Sequence, residues 1–103
     1  MNSTDDLKNK LIAFHRALET LANSSEKQQA LIATTTFFNL VNDDNNRFIV
    51  ATGASDFISQ IILLRGGFSG QKMILSSEAN NLFDQIQTSS PYDRTKMVTF
   101  YHN

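Results

Sequence analysis

A chain of 103 residues, 41 % of them apolar, has room for one domain around one core, because two halves of that length would each bury too little surface to fold. Its nine basic and ten acidic residues leave a formal charge of −1 and never form a run, which argues against a surface driven by phosphate neutralisation. The absence of cysteine excludes disulfide frameworks and thiolate metal sites.

Leu7, Leu11, Phe14, Leu18 and Leu21 recur at spacings of four, three, four and three, the repeat of one face of an α-helix. They predict a first helix over 4–22, with Ser3 as N-cap and Asp5 and Asp6 facing the positive end of its dipole. The opening Met1–Asp6 is polar and acidic, unlike an export signal, so the expected location is cytoplasmic. Asn23-Ser24-Ser25 breaks the helix, and Ser25 with Gln28 fits a capping box for a second one. Its apolar face runs through Ala30, Leu31, Ala33, Phe37, Phe38, Leu40 and Val41, across the β-branched Thr34–Thr36. The short break makes the pair an antiparallel hairpin.

Asn42–Asn46 is the strongest loop, since Asn and Asp bond nearby backbone and compete with helix. The next segment, 48–52, reads either as a short strand or as a helical turn. Ser55 then fits an N-cap for a helix through Arg65, with Phe57, Ile58, Ile61, Ile62 and Leu64 on its apolar side. The longest apolar run, Ile61–Leu64, is too short to span a bilayer, and no membrane association is expected. A glycine loop at 66–70, Met73-Ile74-Leu75 and a helix capped by Ser76 or Ser77 follow, the helix lined by Ala79, Leu82, Phe83 and Ile86. Ser90-Pro91 suits the start of a last helix to about Tyr101, in competition with a strand over Met97–Tyr101.

The fold these elements favour is mainly α, a small bundle of four to five helices opening with an antiparallel helical hairpin. The alternative is α+β, the same hairpin followed by three short strands and two helices.

Ile49–Ile58 resembles the first strand and phosphate loop of nucleotide-sugar epimerases and short-chain dehydrogenases. Such a loop needs glycines so that backbone N–H groups can approach a pyrophosphate, and here Asp56 and Ser59 stand where the second and third would be. The stretch therefore reads as a turn and a helix cap. In the 66–72 loop only three residues separate Gly66 from Gly70 where a P-loop needs four, and Gln71 and Met73 break the remainder. Arg65, Gly66, Gly67, Gly70 and Lys72 remain a candidate anion loop. Asn42–Asn46 lacks the glycine and bidentate glutamate of a calcium loop. His15 and His102 are the only histidines, and no nucleophile–base pair stands out beside them.

The expectation is a non-catalytic interaction or regulatory module, of the inhibitor, immunity, adaptor or assembly type, that binds a protein partner or a second copy through apolar helix faces. Leu11, Phe14, Leu18, Ile61 and Leu64 are the candidate contacts, and no cofactor or metal is expected. One alternative is an anion- or nucleotide-binding domain using the Gly53–Asp56 turn or the Gly66–Lys72 loop. A third reading, a nucleic-acid binder, needs a dimer to double a weak basic face.

Overall fold

The computed structural model describes residues 3–43, 46–66 and 72–90. They form four helices and no strand: α1 (Ser3–Glu19), α2 (Ser25–Asn42), α3 (Arg47–Gly66) and α4 (Ser77–Ser89). The expected last helix or strand beyond Pro91 lies outside the described residues.

Helix α1 buries the stripe that defines it: Leu7, Leu11, Phe14 and Leu18 are core and Leu21 packs against their end. Ser3, expected as the cap, is the first helical residue. The helix stops three residues earlier than the stripe suggests. Thr20 Oγ1 donates to Ala17 O at 2.7 Å and Leu21 N to Leu18 O at 3.0 Å, a tight last turn that releases the chain. A cap by Ser25 is corrected by one residue. Ser24 is extended, and its hydroxyl accepts from Lys27 N at 3.0 Å. Lys27 then occupies the third helical position, so the reciprocal Gln28 bond of a capping box does not form. The Lys27 ammonium instead turns back to Glu19 O, Leu21 O and Asn23 Oδ1 at 2.9–3.2 Å and closes the C-terminal end of α1.

The threonine run stays helical because Thr34 Oγ1 is satisfied by Ala30 O at 2.7 Å inside the helix, leaving no buried polar atom in need. Helix α3 departs most from expectation. It is one continuous helix from Arg47, so residues 47–52 are not a strand and no turn exists at Gly53–Asp56. The start signal is Asn46, whose Oδ1 accepts from Ile49 N at 3.0 Å. Ser55, read as a cap, is buried in mid-helix. Once Asn46 nucleates the turn, Phe48–Ala51 continues it and apolar residues appear on all sides. The four-residue run Ile61–Leu64 thus understates this element: α3 is long and apolar enough, by length and composition alone, to cross a membrane. Here Ala54, Phe57, Ile58, Ile61 and Leu64 are buried, and they turn that side of the helix into the core of the bundle.

Met73 and Leu75 are buried and Ile74 is exposed, the alternation of an extended segment. Among the described residues no strand pairs with it. Met73 N donates to Leu64 O at 3.0 Å and the segment plugs the end of the bundle instead. Ser76 caps α4, accepting from Ala79 N at 3.2 Å, and Ala79, Phe83 and Ile86 face inward as their spacing predicts.

Helix α1 packs against α2 and α4, and α2 against α3. One phenylalanine from each helix meets at the centre. The Phe57 ring lies 5.9 Å from Phe14, 5.3 Å from Phe37 and 6.1 Å from Phe83, centroid to centroid. The α3–α4 seam is bridged by side chains: the Arg65 guanidinium sits 4.9 Å above the Phe83 ring and donates to Asn80 Oδ1 at 3.1 Å.

Candidate functional site

Leu11, Phe14, Leu18, Ile61 and Leu64, the contacts expected from sequence, are all core. That corrects their assignment: an apolar stripe at helical spacing faces the nearest apolar surface, and in this bundle that surface is the other helices. Only Leu11 also reaches the floor of an open groove. The groove lies between α1 and α2 and has a volume of about 220 Å³. Leu11, Thr34 and Phe38 line its base with Ile12, and His15, Arg16 and Glu19 stand along α1 beside it. Helix periodicity produces this grouping, since Ile12, His15, Arg16 and Glu19 fall at offsets of zero, three, four and seven.

Ile12 is 40 % exposed. A single exposed isoleucine is ordinary, but one on the lip of an apolar trough extends that trough into solvent. His15 Nδ1 lies 3.3 Å from Glu19 Oε1, so the histidine is paired along its own helix and is not joined to Asp56 or Ser55. The Thr34 hydroxyl donates to Ala30 O within α2, so it makes no polar demand on the groove floor. Ile12 and Phe38 were the residues to notice in the sequence: each lies beside the strongest apolar positions of its helix, Ile12 exposed and Phe38 half-buried at the edge of the core.

The candidate anion loop is described only in part. Arg65 is engaged by Phe83 and Asn80, Gly66 ends α3, Gly67 and Gly70 lie outside the described residues, and Lys72 is exposed on the rim of a different cleft. Gly53 has a structural role. A Cβ there would run into Leu40 Cδ1, so the glycine lets α2 and α3 approach closely. Among the described residues, no three His, Asp or Glu side chains gather as a metal site would require. No family model matches the chain, and no curated protein or solved structure is significantly similar to it.

Proposed function

We propose that the protein is a non-catalytic interaction module that seats an apolar side chain of a protein partner in the α1–α2 groove. The observation that carries this reading is the groove itself, an apolar trough continued into solvent by Ile12 and flanked by Arg16 and Glu19 for orientation. One seated leucine or phenylalanine contributes about 1.5–3 kcal/mol, so a tight complex also needs contacts along the exposed faces of both helices. The nucleic-acid reading finds less support, because Lys8 and Lys10 pair with Asp5 and Asp6, Lys27 is buried, and Arg65 lies on Phe83. The nucleotide reading loses its Gly53–Asp56 turn to the helix.

A photo-reactive residue at Ile12, compared with one at the exposed Gln85 of α4, tests the site in cell extract. The expected result is one cross-linked protein band specific to position 12 and abolished by Phe38→Asp, in a variant whose circular dichroism still reports a folded bundle. Equal labelling from both positions overturns the proposal. Light scattering on the purified chain separates a second copy of this protein from a different partner.

A further inference from the structure

A second cleft, of about 270 Å³, lies between the α1–α2 turn and the extended 72–74 segment. Leu21, Met73 and Ile74 give it an apolar wall, while Glu26, Lys27 and Lys72 carry charge into its lining. Glu26 is the anomaly. It is only 4 % exposed, yet its carboxylate accepts no hydrogen bond and joins no ion pair among the described residues. Its oxygens are nevertheless not sealed from solvent, because the one sealed and unpartnered side-chain oxygen among these residues is Ser55 Oγ. The carboxylate therefore opens onto the cleft through the little surface it keeps. A place in the first turn of α2 explains why a negative charge is tolerated there. It leaves the charge facing the cleft with no protein cation paired to it among the described residues.

The charges set the class of ligand. The Lys27 ammonium is already engaged by three oxygens of the α1 terminus. Lys72 is exposed on the rim and forms no ion pair among the described residues. One unmatched carboxylate inside and one unmatched ammonium at the rim, beside an apolar wall, suit a molecule carrying both opposite charges. An alkylamine would leave Lys72 unmatched, and an alkanoate would bring a second negative charge towards Glu26. The cleft, about 270 Å³ and open to solvent on one side, has room for a branched aliphatic amino acid. We propose that this cleft binds a small aliphatic zwitterion of the amino-acid type, with its ammonium on Glu26, its carboxylate on Lys72 and its side chain against Leu21, Met73 and Ile74.

The test is an amide NMR titration of the full chain with L-leucine, 3-methylbutylamine and 4-methylpentanoate. Leucine is expected to give saturable shifts confined to 21–27 and 72–75. The two single-charge analogues should bind at least about tenfold more weakly, each having lost one charged contact. Glu26→Gln and Lys72→Gln should each weaken leucine by a similar factor without moving amides at the α1–α2 groove. If Glu26→Gln fails to fold, Lys72→Gln, at an exposed position, carries the test alone. Absence of saturation, equal binding of the amine, or variants that bind leucine like the parent chain would each overturn the proposal. None of these outcomes bears on the groove at Ile12, which is probed separately.

Discussion

Gly53 shows at the scale of one residue how a motif and a packing contact can look alike. In sequence it opens Gly53-Ala54-Ser55-Asp56, a fragment of a phosphate loop. In the bundle it is a buried position in α3 where a side chain would displace the end of Leu40. Gly53→Ala should leave stability within about 1 kcal/mol, since the gain in helix propensity of about 1 kcal/mol offsets moving the flexible end of Leu40. Gly53→Val has no such exit and should cost about 2–3 kcal/mol in urea unfolding. A valine variant as stable as the parent chain would remove the close-packing role. Other residues were plainer. Phe14, Phe37, Phe57 and Phe83 each fall on the apolar face their helix spacing assigns, and all four are core. Periodicity reports the side on which a residue sits, but carries no information on whether a neighbour covers that side. Leu11 lies on the stripe and Ile12 beside it, and only packing shows that the core stops between them.

Between elements, the informative device is Lys27. A lysine in the first turn of a helix reads in sequence as a solvated charge, slightly unfavourable beside the positive end of the dipole. Here it is buried and donates to the end of the preceding helix, so one side chain joins the termini of α1 and α2. Lys27→Met keeps the aliphatic stem and removes the donors. It should cost about 1–3 kcal/mol, lowering Tm by roughly 5–15 °C, and speed amide exchange in the turn after Ala17. An unchanged Tm would mean that water satisfies those carbonyls equally well. The same scale explains the misread start of α3. Any Asn or Asp of the 42–46 run can cap a helix, and the choice of Asn46 is visible only through its bond to Ile49 N. Caps are local chemistry with several valid solutions, whereas the stripe of α1 admits one.

For the molecule as a whole, α1 packs against α2 and α4 and α2 against α3, whereas α3 and α4 meet through side chains alone, Arg65, Asn80 and the Phe57–Phe83 contact. Helices α1, α2 and α3 follow one another through short turns, while α4 joins through the longer 67–76 connection and has α1 as its one extensive neighbour. Amides in the middle of α1 and α2 should therefore exchange only through global opening, and those of α4 through a sub-global opening that is cheaper by about 1–2 kcal/mol. Uniform protection across all four helices would show that the α3–α4 seam is as strong as the others. Both clefts also belong to this scale. The groove at Ile12 needs α1 and α2 side by side, and the cleft at Glu26 needs the 72–74 segment folded back over the α1–α2 turn.

The sequence by itself favoured a mainly α bundle opening with a hairpin over the α+β alternative, and it marked the apolar faces of the helices, because apolar spacing and backbone capping act over a few residues. It also ruled out thiolate chemistry outright. Only the tertiary structure decided that 47–66 is one helix, that the expected contact residues are interior, and that the carboxylate of a largely buried Glu26 has no partner among the described residues. Those properties depend on which distant surfaces come together. Burial is a relation between elements, and no window along the chain contains both sides of it.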